Sequence, residues 1–98
     1  MNKFTLIISP KAAKDLDGLS GAICMKIAEA IKILEVNPFP RGKLIRKIKG
    51  KHSDFYRLRV NKYRVLFMIE TDKVVILRII NKKDADKLIQ QLDWLKIK

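Results

Sequence analysis

The chain has 98 residues, of which 48% are hydrophobic and 33% are charged, and its 22 Lys and Arg against 10 Asp and Glu give a formal net charge of +12. This length allows one domain, over residues 1–98, and the one cysteine and one histidine exclude a disulfide framework and a structural zinc site with four ligands of the usual kinds. Because so large an excess of positive charge repels itself in a folded protein, we expect a polyanionic partner, with nucleic acid as the leading class.

The first half of the chain predicts a strand followed by two helices. Residues 3 to 9, KFTLIIS, are β-branched and aromatic, and Pro10 then opens a helix with Ser9 as its N-cap. Apolar residues continue at helical spacing beyond a glycine-containing break, which predicts a second helix over 22–35, antiparallel to the first. The N-terminal apolar run is too short for a signal peptide or a membrane span, so we expect a cytoplasmic protein with no membrane partner.

The second half of the chain predicts strands and a final helix. The loop NPFPRG, 37–42, contains two prolines that cannot continue a helix, and KLIRKIKG, 43–50, is typical of a short strand or extended segment. Three strands follow over 55–60, 63–70 and 73–81, and their two-residue connections make them antiparallel neighbours. An apolar stripe then predicts a C-terminal helix that carries Leu88.

Together these elements predict an α+β fold. It consists of a small antiparallel sheet of about four strands packed against an N-terminal helix pair, with a C-terminal amphipathic helix.

Arginines occupy strand positions in the segment FYRLRVNKYRVLFMI, 55–69. Because side chains alternate across a sheet, Arg57 and Arg59 should point away from the face that packs on the two helices. A two-residue turn would place Arg64 opposite Arg59, and we expect Arg78 on the last strand to join this face. Like charges at opposite positions are costly, and bound phosphates would relieve the cost. The alternative is that each arginine pairs with a nearby carboxylate, from Glu70, Asp54, Asp84 or Asp86.

The order of these elements and the block YRLRVNKYRVLF, 56–67, resemble the RelE/ParE superfamily of toxins from type II toxin–antitoxin systems. The resemblance spans nearly the whole chain, and the block is similar to the family's signature of a short loop between basic strands. It implies a RelE-like mRNA interferase, a ribosome-dependent endoribonuclease that enters the A site and cuts translated mRNA. It also implies silencing by a cognate RelB-like antitoxin. We expect neither a metal nor a small-molecule cofactor. Two alternatives stay open: a ParE-like inhibitor of DNA gyrase, and a nuclease-dead member that binds only its antitoxin or RNA.

The same resemblance suggests which residues act on RNA. Basic residues on the central strands carry the reaction in the family, and they are similar in position to Arg57, Arg59 and Arg64. Lys82 or Lys83 could replace an arginine that the family usually has near the end of the last strand. The family's tyrosine a few residues later is missing, with Asp86 or a neighbour at its place.

Cleavage of RNA through its own 2′-hydroxyl requires proton transfer as well as stabilisation of the charged transition state. Arginine can supply the second function but stays protonated, so it cannot supply the first. The candidates for proton transfer are Lys82, Lys83, Lys62, Tyr56, Tyr63 and Asp86. Lysine is the most credible of these, because surrounding cations favour the neutral amine that accepts a proton.

Further residues are predicted to contact partners. Basic side chains near the arginines would hold the RNA: Lys43, Arg46, Lys47, Lys49, Lys51, Lys62 and Arg78. Apolar positions of the last helix would contact the antitoxin: Leu88, Leu92 and Leu95. We interpret His52 as a solvated loop residue and Cys24 as part of helix packing rather than a nucleophile.

Overall fold

The computed structural model describes residues 3–49 and 54–91. The helices and strands are β1 (Thr5–Ile8), α1 (Pro10–Asp17), α2 (Gly21–Val36), β2 (Ile45–Ile48), β3 (Phe55–Val60), β4 (Tyr63–Glu70), β5 (Lys73–Asn81) and α3 (Lys82–Gln91). The predicted α+β class, the N-terminal helix pair, the C-terminal helix and the bounds of the three strands over 55–81 are confirmed. Helix α1 begins as predicted, because the Ser9 hydroxyl accepts the Ala12 N–H at 3.1 Å and Pro10 occupies the first turn.

The sheet differs from the prediction in strand number and in the direction of one pair. It has five strands in the order β1-β5-β4-β3-β2, and β1 runs parallel to β5, with Thr5 opposite Lys73. The other three pairs are antiparallel, as predicted. A strand's own residues do not specify its partner, and the two helices that follow β1 provide the long connection that a parallel pair needs. The prediction of about four antiparallel strands is therefore wrong in these two respects.

Each face of the sheet carries its own apolar core. Helices α1 and α2 cover one face, where Ile27 and Leu34 meet Leu58, Val65 and Phe67, all of them buried. Helix α3 covers part of the other face through a second cluster of buried residues: Phe55, Leu66, Met68, Leu77, Ile80 and Ala85. The predicted alternation is confirmed, and the register pairs Val60 with Tyr63 and Arg59 with Arg64, as expected.

A β-bulge interrupts the pairing of β4 with β5. Leu66 lies opposite Arg78 while the next residue, Phe67, lies opposite Ile76, so Leu77 is an additional residue in β5. Helix α1 bonds to the backbone around this bulge: the Ser9 hydroxyl donates to the Leu77 carbonyl at 3.0 Å. One carboxylate oxygen of Asp15 accepts the Ile79 N–H at 2.9 Å.

Arg78, which follows the additional residue, pairs with a carboxylate of α1. Its Nε and Nη2 donate to the two carboxylate oxygens of Asp15, at 2.8 and 3.1 Å. This bidentate pair raises the pKa of Arg78 further above its ordinary value. The prediction that Arg78 joins the face of Arg57 and Arg59 is wrong, because alternation along β5 places Arg78 on the same face as Val74 and Ile76, beneath α1.

No helix among residues 3–49 and 54–91 is both long enough and apolar enough to cross a membrane.

Candidate functional site

A pocket whose lining, within the described residues, is all lysine and arginine lies on the face of the sheet that carries α3. It encloses about 210 Å³, and we refer to it as the arginine pocket. Its lining residues are Lys43, Arg46, Arg57, Arg59, Arg64 and Lys82. Three adjacent strands bring the guanidinium groups together, because Arg46 lies opposite Arg57 and Arg59 lies opposite Arg64. The predicted convergence of Arg57, Arg59 and Arg64 is confirmed.

Arg64 lies deepest among these residues, with only 5% of its surface exposed. Its Nη1 donates to the carbonyls of Asn61 and Tyr63, at 2.9 and 2.8 Å. Asn61 begins the β3–β4 turn with a φ of 52°, a left-handed conformation that Asn adopts more readily than most residues. The turn backbone thus fixes the plane of the guanidinium.

The Nε of Arg64 is buried and has no hydrogen-bond partner within the described part of the chain. Burial, followed by the charges of Arg57 and Arg59, lowers the pKa of Arg64 from its ordinary value, while Asp86 acts in the opposite direction. A buried donor without a partner is a position where a ligand oxygen or a water binds favourably. The site therefore combines a fixed cation, an unused donor and mutually repelling neighbours.

Carboxylates neutralise this pocket poorly. Arg57 Nη1 lies 4.0 Å from Asp86 Oδ1, a long distance for an ion pair, and the Asp86 side chain is 47% exposed. Over residues 3–49 and 54–91 the structure gives no ion pair to Arg46, Arg59 or Arg64. Internal pairing with acids, the alternative explanation of the arginines, accounts for Arg78 and only weakly for Arg57.

The structure separates the six candidates for proton transfer. Tyr56 and Tyr63 pack in the core beneath α1 and α2, with the Tyr56 ring stacked on Phe67 at 5.5 Å between centroids, so they lie on the opposite face from the arginine pocket. The alternation of β3 and β4 already indicated this. Lys62, Lys83 and Asp86 do not line the pocket.

Lys82 is thus the one candidate of the six that lines the arginine pocket. It is the first residue of α3, and its N–H donates to the Lys62 carbonyl in the β3–β4 turn at 2.8 Å. Helix α3 and the turn are therefore joined directly at the pocket.

The residues predicted to hold RNA are divided among several places. Lys43 and Arg46 line the arginine pocket. Lys47 Nζ lies 3.2 Å from Asp54 Oδ2. Lys47 also lines a neighbouring groove together with Arg57 and Asp86. Lys49 and Lys62 are exposed outside the pocket. Lys51 lies outside the described residues, as does His52.

The residues predicted to contact an antitoxin are described only in part. Leu88 is half-buried and packs against the second core cluster, so much of its surface is already used within the fold. Leu92 and Leu95 lie outside the described residues.

The sequence analysis missed Asp15, which determines the position of Arg78 and supports the bulge in β5. A signal was present: Ala12 and Leu16 form the apolar face of α1 at helical spacing, and Asp15 falls on that face. An acid on a buried face is unlike a surface acid, because it requires a partner.

The comparisons with known proteins identify the family of this chain. The profile of the family described as ParE toxin of type II toxin–antitoxin system, parDE, matches residues 6–86. The chain belongs to this family. It is a toxin of a type II toxin–antitoxin system within the RelE/ParE superfamily, and the resemblance seen in the sequence is confirmed.

Relatives of this toxin are found among archaea. A protein of Methanocaldococcus jannaschii named "Putative toxin RelE1" is 33% identical over 85 residues, which cover 85% of this chain and 93% of that protein. The archaeal RelE–RelB complex from Pyrococcus horikoshii OT3 contains a chain with 28% identity and a TM-score of 0.70, covering 82% of this chain and 96% of that one. The RelB–RelE complex from Methanococcus jannaschii contains another with 28% identity and a TM-score of 0.64, covering 83% and 95%.

Proposed function

We propose that this toxin is an endoribonuclease that cleaves translated mRNA at the ribosome, with the scissile phosphate held in the arginine pocket. The observation that carries the proposal is Arg64, which is buried beside two other arginines, has an unpartnered Nε and has no ion pair within the described residues. A folded protein tolerates such a cluster at a cost in stability, and a phosphate would offset that cost.

The chemistry requires no group beyond those of the RNA and the protein. The 2′-hydroxyl oxygen attacks the adjacent phosphorus, the bond to the 5′-oxygen breaks, and the products are a 2′,3′-cyclic phosphate and a 5′-hydroxyl end. Arg57, Arg59 and Arg64 would donate to the non-bridging oxygens and stabilise the extra negative charge of the transition state. Fixed donors of this kind typically contribute about 2.7 to 4 kcal/mol each to barrier lowering.

Proton transfer in this proposal belongs to Lys82. Arginine stays protonated under all ordinary conditions, and Tyr56 and Tyr63 lie on the other face of the sheet. A neutral Lys82 could accept the 2′-hydroxyl proton, and the resulting ammonium could return a proton to the leaving 5′-oxygen. Its position at the pocket, on the first residue of α3, supports this role.

The proposed protein partner is a RelB-like antitoxin. The P. horikoshii and M. jannaschii relatives were crystallised in RelE–RelB complexes, and they share 28% identity with this chain. An antitoxin with acidic residues would complement a surface of net charge +12 and would block access of RNA to the arginines. The predicted contact residues remain Leu88, Leu92 and Leu95.

Mapping of the 5′ ends of cellular RNA tests the nuclease proposal. The toxin is induced without its antitoxin, and we expect new 5′-hydroxyl ends inside translated coding sequences. Replacement of Arg64 by Ala should remove them, whereas Lys14→Ala, which removes one charge on α1, should not. Coexpression of the antitoxin should suppress the new ends in the wild type.

Two other outcomes would contradict the proposal. Intact messages with DNA damage would indicate the ParE-like inhibition of gyrase, since that activity requires no RNA cleavage. Intact messages without DNA damage would indicate a protein that only binds its antitoxin or RNA.

A further inference from the structure

A second hollow lies at the β3–β4 turn, between that turn and α2. It encloses about 560 Å³, and we refer to it as the turn hollow. Its apolar wall includes Ile23 from α2 together with Val60 and Tyr63 from the hairpin. Lys26 and Lys62, both exposed, add positive charge at its edge.

Among residues 3–49 and 54–91, no acidic residue lines the turn hollow. A bare phosphate would gain little from the apolar wall, and an uncharged apolar ligand would gain little from the lysines. A nucleotide combines a flat, largely apolar base with an adjacent anionic phosphate. Unstacked bases bind on aromatic and apolar side chains while basic residues follow the backbone.

The turn hollow and the arginine pocket are neighbours. Arg59 lines both of them. The Lys82 N–H donates to the Lys62 carbonyl at 2.8 Å, which fixes the start of α3 against the turn between the two cavities. A strand with one phosphate at the arginines would pass Arg59 and round the β3–β4 turn to place a nearby base in the turn hollow on the other face of the sheet.

We propose that the turn hollow binds an unstacked base of single-stranded RNA, from a nucleotide next to the phosphate held in the arginine pocket. This inference rests on the proposed function, since it requires RNA in that pocket. Base contacts provide sequence preference where phosphate contacts provide only position, so the turn hollow would determine which sites are cut.

Nuclear magnetic resonance of the labelled toxin tests this proposal. One ligand is a short single-stranded RNA with 2′-O-methyl groups, which cannot be cleaved, and the other is an abasic chain with the same number of phosphates. We expect both ligands to shift the signals of the arginine pocket. Only the ligand with bases should shift the amide signals of Ile23, Lys26 and Ile27.

A matched pair of variants supplies a second measurement. Ile23→Gln should weaken binding of the base-containing ligand about five-fold or more and leave the abasic ligand unchanged. Ile33→Gln is the control, because Ile33 is a 39% exposed isoleucine on the same helix that does not line the turn hollow. Equal thermal midpoints of the two variants would exclude unfolding as the cause.

The outcomes separate the two proposals. If both ligands shift the same signals, the turn hollow takes no base, and the nuclease proposal stands. If neither ligand binds the arginine pocket, both proposals fail. A shift of the hollow signals by an acidic, leucine-containing peptide but not by the RNA would make the turn hollow a protein-docking site and overturn the inference.

Discussion

Arg64 shows how one residue can be unfavourable for the fold and suitable for a site. Its guanidinium is buried, and the neighbouring Arg57 and Arg59 lower its pKa, so folding brings together charges that water would otherwise separate. Its Nη1 donates to the backbone carbonyls of Asn61 and Tyr63, whereas its Nε has no hydrogen-bond partner among the described residues. A site prepared in this way binds an anion without reorganisation at the moment of reaction.

The role of Lys82 can be separated from its charge. Lys82→Arg keeps a cation at the first residue of α3 but removes a group that can lose its proton, so we expect cleavage to fall by about 10²- to 10⁴-fold. Binding of a non-cleavable RNA should change by less than about three-fold, since each phosphate contact is mainly electrostatic. Single-turnover cleavage and filter binding would measure the two effects. Retained cleavage in Lys82→Arg would show that Lys82 supplies only charge.

At the level of elements, helix α1 supports the irregular part of β5. Ser9 and Asp15 bond to the backbone on either side of Arg78, and the bulge determines which residues at the end of β5 face the arginine pocket. Because Lys82 follows β5 directly, its position depends on this bulge.

Removal of the Asp15 charge should therefore destabilise the fold. Asp15→Asn disrupts the bidentate pair with Arg78, which is only 24% exposed in its side chain, and weakens the bond to the Ile79 N–H. We expect a loss of about 2 kcal/mol in the free energy of unfolding, or roughly 8–16 °C in Tm. Asp17→Asn on the exposed side of the same helix is the control. A change of similar size in both variants would contradict the assigned role of Asp15.

The β4–β5 turn contains a strained residue. Thr71 has a φ of 53°, a conformation that is unfavourable for a β-branched residue. Thr71→Asn should raise the free energy of unfolding by about 1 kcal/mol and Tm by roughly 4–8 °C. Thr71→Val keeps the branching and should give no gain. Thermal unfolding of the three proteins would check the difference, and an equal Tm for Asn and Thr would show that the turn is not strained.

Local sequence patterns were sufficient to predict most helices and strands and the convergence of the arginines. Two-residue turns fixed the register of the central hairpins, and with it the meeting of Arg59 with Arg64. The parallel pairing of β1 and the bulge before Arg78 were not predictable in the same way, because both depend on residues distant in the chain. Arg78 was misplaced although alternation along β5 puts it on the same face as Val74 and Ile76, which pack beneath the helices.

At the scale of the whole molecule, the basic residues that give the net charge of +12 lie in different places, and we expect their contributions to RNA binding to differ. Lys43, Arg46 and Arg57 converge on one pocket, whereas Lys14 and Lys32 are exposed on helices that cover the other face of the sheet. Binding of RNA should therefore depend on where a charge lies as well as on the total.

Salt dependence of RNA binding tests this distribution. The double variant Lys43→Gln/Arg46→Gln should reduce the slope of log K against log salt by about 1.4, since each phosphate contact on a single strand contributes about 0.7. The double variant Lys14→Gln/Lys32→Gln removes the same net charge and should leave the slope unchanged. Equal slopes for both variants would show that only the overall charge matters.

The pairing of Thr5 with Lys73 also has a consequence for the order in which the protein forms. During synthesis β1 leaves the ribosome first, yet β5, the strand beside it, is made only after all the others. The two N-terminal helices can pack on the complete sheet only after β5 has been made, and Lys82 is added later still. A nascent toxin therefore has no finished arginine pocket until all of its strands have been translated.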